Sequence, residues 1–385
     1  MEERKRILLL GGTGAIGASV APELLRRGFS VYITSRSAHA SNEPGVTYLQ
    51  GNAKDEAFLD ELLAERFDAI IDFMIYTTES FAARYEKLLS AAEHYVFLSS
   101  YRVYGDNGAK PITEQSPRLL DSVNDPEYLK TDEYGLTKAR QEDLLRAGSR
   151  KNFTIIRPAI TYAGDRFQLG TMEANEFLVR VKNKKVVIFP KEMLNKQATM
   201  TWAGDVGKMI ARLVLNEKAY GETYTAATAE HHTWGEILKT YERILGMRTK
   251  LVPLDVYRNV VGRQWQIKYD RMLDRVIDNT KVLTATGMRQ KELMPLSEGL
   301  RIELYGFMKN PKFKTVDKEM QARFDRVTGD ASKATRARRK LSDVLRRARE
   351  YHKKGILKKA IREKLYRVQP LRKAVHGIKR VFGKK

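Results

Sequence analysis

Apolar residues fall into two patterns along this chain. Short continuous runs at residues 7–10, 31–34, 46–49, 69–75, 95–99 and 153–156 read as buried strands, because a parallel strand covered on both faces has no polar side. Between these runs apolar residues recur three and four positions apart. Val20, Leu24 and Leu25 form one such stripe, Phe58, Leu59, Leu62 and Leu63 a second, and Leu88 with Leu89 part of a third, each predicting an amphipathic helix. Strand and helix alternate, so the expected fold class is α/β, a doubly wound parallel sheet with right-handed crossovers.

The later chain is less regular. Residues 106–132, with Pro111, Pro117 and Pro126, predict an irregular segment leading into a helix at Tyr134. Beyond Thr161 the periodicity loosens, and the lysines of 182–185 and 191–196 predict a basic, solvent-facing region. A helix is expected to open within 201–206 and a short strand at 223–225. Thr233 and Glu236 have the spacing of a capping box, so Glu236 reads as a helix cap, and that helix should end at Gly246.

Candidate chemistry begins where the first strand ends. Gly11, Gly12, Thr13, Gly14, Ala15, Ile16 and Gly17 lie between strand and helix, and Gly12, Gly14 and Gly17 satisfy the G-x-G-x-x-G fingerprint. Those glycines allow a tight turn, close approach of a pyrophosphate and close packing of helix on strand. The pyrophosphate would rest on the positive helix end. The expected architecture is therefore a Rossmann-type dinucleotide-binding domain over residues 1–165, with 200–228 returning to it. A smaller substrate-binding lobe is expected over 166–199 and 229–310. At the end of the second strand stand Ser35 and Arg36, where an acid would hold the ribose hydroxyls of NAD; an arginine suits the extra phosphate of NADP, which is favoured.

Tyr134 and Lys138 lie four residues apart, on one face of the predicted helix. A phenol keeps its proton to about pH 10, and bringing that near neutrality takes about 4 kcal/mol of differential stabilisation. One exposed cation supplies less than this. The site must therefore be partly desolvated and hold further positive charge. Tyr305 and Lys309 repeat the spacing by chance. Only the first pair follows a serine at a strand end, Ser100, where ligands of such sheets sit.

The glycine turn, the stretch Ser99-Ser100-Tyr101-Arg102-Val103-Tyr104-Gly105, and Tyr134 with Lys138 together resemble the extended short-chain dehydrogenase/reductase family, the NAD-dependent epimerase/dehydratase group acting on nucleotide sugars. The likeness covers about residues 5–305. Residues 51–55, with Asn52 and Ala53, resemble its adenine-binding turn, and Asp278, Asn279, Thr280, Lys281 and Gly287 its later signature. The resemblance implies hydride transfer between a nicotinamide and a carbinol or ketone carbon of a sugar-like substrate. Tyr134 would be the acid/base, Lys138 would bind the nicotinamide ribose and favour the phenolate, and Ser100 would hydrogen-bond the reacting oxygen. A homodimer is a family expectation. Dehydratases of the family carry an Asp-Glu pair where this chain has Tyr101 and Arg102, so dehydration is disfavoured. The arginines that clamp a nucleotide pyrophosphate are also displaced, leaving Lys196, Arg271 and Arg275 as weak candidates for substrate contact.

Composition adds a second theme. The chain has 385 residues, 42% of them hydrophobic, enough for a sizeable core. Absence of cysteine removes disulfides, thiolate metal sites and cysteine nucleophiles, and suits a reducing, cytoplasmic compartment. The adjacent His231 and His232 point to different faces, so no metal site is expected. The first residues run directly into a strand, and neither a signal peptide nor a transmembrane span is expected. The net charge is +23, and it is concentrated: residues 311–385 hold 26 lysines and arginines against 7 acids, the remainder 44 against 40. From Leu341 three apolar stripes at helical spacing, ending at Phe382, predict a basic amphipathic helical tail. Its expected partner is an anionic membrane surface or a membrane-associated enzyme, making the protein peripheral on the inner face of the membrane. A solvated or docked appendage is the competing reading. Nucleic acid is less favoured, since no recognition motif accompanies the charge. The alternative to an enzyme is a catalytically silent body of this family whose tail engages a membrane-associated partner or RNA.

Overall fold

The computed structural model describes residues 4–330, together with Val344 and Arg346. The described residues up to Phe324 form one compact unit, and residues 325–330 belong to a second. Apart from Val344, the apolar stripes of the tail lie outside the described residues.

Seven parallel strands form the central sheet: β1 (Arg6–Leu10), β2 (Ser30–Ser35), β3 (Val46–Gln50), β4 (Phe67–Asp72), β5 (Ala92–Leu98), β6 (Phe153–Ile156) and the short strand Thr223–Tyr224. Their spatial order is Thr223–Tyr224, β6, β5, β4, β1, β2, β3. Ile7 is paired with Val31 on one side and Ala69 on the other. Winding therefore reverses between β1 and β4, which opens a crevice at the carboxyl ends of the strands.

Alternation within the runs divides the core into two layers. Ile7, Leu9, Val31, Ile33, Ala69 and Ile71 pack under α1 (Ala15–Arg26) and helix Ala203–Leu213, against Val20, Leu24, Val206 and Ile210. Leu8, Leu10, Ile70, Tyr95 and Phe97 face the other way, against Leu59 and Leu62 of α2 (Glu56–Ala64) and against Leu88 and Leu89. Both faces are buried, which is why the strands carry continuous apolar runs. Helix Ala203–Leu213 lies so close to α1 that a Cβ on Gly207 would stand 2.6 Å from the Ser19 carbonyl oxygen.

Several boundaries differ from expectation, for local reasons. The fourth strand ends at Asp72, not residue 75, because the Asp72 carboxylate accepts the Met74 N–H (2.8 Å) and turns the backbone out of the sheet. The later helix starts at Ala203, because Met200–Trp202 is spent pairing with Ile160–Tyr162. The lysines of 182–185 and 191–196 are exposed or half-buried, as expected, but between them Val187–Pro190 forms a fully buried strand paired with Thr249–Val252. Its flanking lysines masked a four-residue apolar run. Residues 106–132 are not wholly irregular: they include the one-turn helices Leu119–Ser122 and Pro126–Leu129. The capping box at Thr233 is present, with Glu236 N–H donating to Thr233 Oγ1 (3.2 Å) and Glu236 Oε2 accepting the Thr233 N–H (2.8 Å). The helix it opens, Trp234–Leu245, ends at Gly246. The compact body continues past residue 310, where the tail was expected to begin: Gln321 donates to the Glu176 carbonyl (2.9 Å) and Arg323 to that of Val260 (2.9 Å).

Candidate active site

The turn after β1 is shaped by what its glycines exclude. Gly11 has φ +70°, a left-handed conformation that favours glycine, and a Cβ there would meet Met74 Sδ at 2.6 Å. A Cβ on Gly17 would stand 2.3 Å from the Gly12 carbonyl oxygen, so α1 packs directly on the turn. At Gly14 nothing lies within 4 Å of the Cβ position. Gly14 begins α1 with no side-chain cap, and the unpaired N–H groups of the first turn supply a positive end suited to an anion.

This turn forms one wall of a cavity of about 430 Å³, to which Gly11, Gly14, Ala15, Ile16 and Gly17 contribute. Ser100, Tyr101 and Arg102, from the turn after β5, line it too, with Tyr134 and Lys138. Met74, Pro158, Ala159 and Ile160 add apolar surface, and Arg166, Gln168, Glu173, Gln266 and Arg271 add polar and charged groups.

Tyr134 opens helix Tyr134–Ala147, whose N-cap Glu133 accepts the Gly135 N–H (2.9 Å). The helix meets the turn after β5 so closely that a Cβ on Gly135 would stand 2.6 Å from the Arg102 carbonyl oxygen. One turn on, Lys138 is only 2% exposed, its Nζ 4.5 Å from the centroid of the Phe97 ring. Among the described residues no acceptor stands within hydrogen-bond distance of that ammonium. Burial pulls it down to about 8, with Asp72 and Glu142 opposing. Neither carboxylate is free to bind it. Asp72 accepts from the Met74 N–H (2.8 Å), Tyr95 Oη (2.8 Å) and Tyr76 Oη (3.1 Å), and burial raises its carboxyl above the ordinary range. Glu142 accepts from Arg157 Nε (2.9 Å) and Nη2 (2.5 Å) and from Ser99 Oγ (2.5 Å). Lys138 is thus a desolvated cation held at the cavity and left for a ligand. Ser100 Oγ accepts the Arg102 N–H (3.2 Å), and among the described residues neither its own O–H nor that of Tyr134 has an acceptor.

The structure brings Ser100, Tyr134 and Lys138 to one cavity. Gly12 and Thr13 do not line it: Gly12 is wedged against Leu9 and Ile33, and Thr13 is exposed. Ser35 and Arg36 stand at the end of β2, Asn52 and Ala53 just past β3, and none of them is part of the lining. Ser35 Oγ accepts the Ser37 N–H (3.2 Å), whereas Arg36 is exposed with no side-chain partner among the described residues.

The substrate arginines need correction. Lys196 lies outside the lining, 3.9 Å from Asp274. Arg275 is also outside it, donating to Gly105 O (2.8 Å) and Tyr269 O (2.8 Å) and pairing with Asp270 (3.3 Å). Arg271 does reach the cavity but is held by Gly170 O (2.7 Å), Gln168 Oε1 (2.8 Å), Tyr101 Oη (2.6 Å) and Asp270. Tyr305 and Lys309 do stack, 4.4 Å from Nζ to ring, but away from this cavity.

Gln168 and Glu173, also in the lining, carry no signal in the sequence. They face each other across two antiparallel strands of two residues each, with Gln168 Nε2 donating to Glu173 Oε1 (2.6 Å). Elements that short leave no periodic signal.

The residues present fit a dinucleotide: an open glycine turn, an uncapped helix end and an unpartnered buried ammonium all face one space. Comparison with known proteins agrees. A UDP-glucose 4-epimerase of Neisseria meningitidis is 29% identical over 185 residues, 40% of this chain and 52% of that protein. The chain spans about half the length of the curated relatives it matches first. The chloroplast stem-loop binding protein of 41 kDa b of Arabidopsis thaliana is 27% identical over 254 residues, 61% of this chain and 62% of that one. Among solved structures, the UDP-glucose 4-epimerase of Thermus thermophilus in complex with NAD superposes with a TM-score of 0.58 at 20% identity, over 79% of this chain and 99% of that one, a likeness of fold. Residues 7–227, more than half of the chain, match the family model, and the protein belongs to the NAD dependent epimerase/dehydratase family.

Proposed function

We propose that this protein is an NAD(P)-dependent oxidoreductase or epimerase of a sugar-like substrate, with a nucleotide sugar as the leading class and NADP as the preferred cofactor. The observation that carries the reading is the single cavity shared by the glycine turn, Ser100, Tyr134 and the buried, unpartnered Lys138. The relatives named as UDP-glucose 4-epimerases support the substrate class. Preference for NADP rests on Arg36, a free cation at the end of β2 in a stretch, 35–42, that has no acid.

A bound nicotinamide would supply the hydride acceptor or donor. Tyr134 would take the hydroxyl proton as the carbinol is oxidised and return it to the alkoxide as the ketone is reduced. Ser100 would hold the reacting oxygen through its unused O–H. Lys138 would grip ribose hydroxyls and, while protonated, favour the phenolate. The missing Asp-Glu pair at Tyr101 and Arg102 leaves elimination of water without its acid and base.

Calorimetry with NADP and NAD tests this reading. NADP is expected to bind at least about 10-fold more tightly, a difference of about 1.4 kcal/mol, and Arg36→Ala should erase that preference while leaving NAD affinity unchanged. Binding of neither nucleotide would overturn the reading. That outcome would favour a silent body whose basic tail engages RNA or a membrane-associated partner, a view to which the stem-loop binding relative lends its name.

A further inference from the structure

The chain beyond residue 160 gives the cavity five polar side chains, Arg166, Gln168, Glu173, Gln266 and Arg271. Three of them hold one another. Gln168 Nε2 donates to Glu173 Oε1 (2.6 Å), and Gln168 Oε1 accepts from Arg271 Nη2 (2.8 Å). The rest of the Arg271 guanidinium is taken by Gly170 O, Tyr101 Oη and Asp270. Arg166 and Gln266 differ: among the described residues neither side chain has a hydrogen-bond or ion-pair partner. The other cations of the lining already have a place, Arg102 with Glu133 and Lys138 in the role proposed for it at the cofactor. Glu173, the carboxylate of the lining, is engaged by Gln168.

Both unpartnered side chains stand on backbone that is held. Ala163 and Arg166 exchange backbone hydrogen bonds (3.2 and 2.9 Å) across a turn in which Gly164 has φ +58°. The Gly164 N–H donates to Glu303 Oε2 (2.9 Å), whose other oxygen accepts from Trp202 Nε1 (2.7 Å), and Asp165 pairs with Lys314 (2.5 Å). Gln266 lies between Arg263 and the π-helical turn Ile267–Arg271. Arg263 has φ +58°, a strained conformation for a residue with a side chain, and its guanidinium holds it there by pairing with Glu176 (2.5 Å) and donating to the Thr171 carbonyl. Left-handed non-glycine residues and π-helical turns are both uncommon and concentrate at functional sites.

We propose that Arg166 and Gln266 read the substrate: Arg166 takes an oxyanion and Gln266 hydrogen-bonds hydroxyls of the sugar. A guanidinium presents a planar fork that matches phosphate or carboxylate. An amide both donates and accepts, as a pair of hydroxyls requires. Arg271, the arginine that the sequence suggests for this task, is consumed within the protein. The inference deepens the reading of this cavity as the site of a sugar oxidoreductase or epimerase and rests on it. It makes the substrate a sugar that carries an oxyanion, the diphosphate of a nucleotide sugar or the carboxylate of an acid sugar.

Calorimetry on the full-length protein saturated with NADP tests the pair, with UDP-glucose, UDP and glucuronate as probes. Arg166→Ala should weaken UDP and UDP-glucose alike by about 10-fold or more, the order for a hydrogen bond to a charged group. Arg166→Lys should recover part of this. Gln266→Ala should weaken UDP-glucose by about 3- to 10-fold and leave UDP unchanged. All three variants should bind NADP as the wild type does. A side chain that merely supported the fold would not separate UDP from UDP-glucose. If the wild type takes glucuronate in place of the nucleotides and Arg166→Ala removes it, the oxyanion is a sugar carboxylate and the inference stands. Binding of none of the three probes, or UDP-glucose affinity unmoved by both alanine variants, would overturn it. If neither NADP nor NAD binds, the enzyme reading itself fails; if NADP binds and the variants change nothing, only this inference does.

Discussion

In the role proposed for it, Lys138 sets cofactor binding against stability. Its ammonium is buried without a hydrogen bond, and its fall from an ordinary lysine value to about 8 corresponds to about 3 kcal/mol of cost for the charged form. The native state binds this proton more weakly than the unfolded chain does, so the cost is fully present below pH 8. It is relieved as pH rises from there toward the unfolded value near 10.5. Lys138→Met should therefore raise the ligand-free protein's stability at pH 7 by about 1–3 kcal/mol, allowing for imperfect packing, and should flatten its stability between pH 8 and 10.5. Cofactor affinity should fall. Urea unfolding at several pH values checks the first part and calorimetry the second; an unchanged or lowered stability at pH 7 would contradict the burial argument. The Tyr134 to Lys138 spacing was visible in the sequence. That the lysine is buried while both neighbouring carboxylates are engaged elsewhere was not, because Asp72 and Glu142 are bound by Tyr95 and Arg157, partners distant in sequence.

At the scale of elements, contact between the turn after β5 and the Tyr134 helix sets the relative placement of Ser100 and Tyr134. Gly135 permits that contact. Gly135→Ala would drive a methyl group to 2.6 Å from the Arg102 carbonyl oxygen, and one side must yield. We expect a loss of about 1–3 kcal/mol by chemical denaturation and a disproportionate fall in turnover, since the displaced elements carry both groups. Full activity would show that the turn adjusts freely. Elements with long buried runs, such as β1 and β5, could be read from the sequence because burial on both faces leaves an unbroken apolar signature. The strand Val187–Pro190 has the same signature, but four residues between lysines gave the charge more weight. The segment 267–275 is harder still. It holds Asp270, Arg271 and Arg275 around one π-helical turn, Ile267–Arg271, a geometry whose register neither the helical nor the strand period anticipates.

The whole molecule divides its charge unevenly, a nearly neutral body carrying most of its excess beyond residue 310. No helix among the described residues is long and apolar enough to cross a membrane. Truncation after Asp330 should leave cofactor affinity unchanged. Against vesicles containing anionic lipid at about 0.15 M salt, the full chain should sediment and the truncated one should not. Equal sedimentation of both would place any such affinity in the body.

The close seat of helix Ala203–Leu213 on α1 bears also on how the protein is made. One side of α1, at Ser19, and the sheet beside it are covered by helix Ala203–Leu213, whose Val206 and Ile210 are translated some 180 residues after α1. At about 5–20 residues per second, the ribosome leaves that face uncovered for roughly ten seconds or more. Contacts this remote in sequence also form slowly. The first half of the chain thus emerges with a dinucleotide turn but an open apolar flank, so the nascent protein should depend on chaperones until residue 213 clears the exit tunnel.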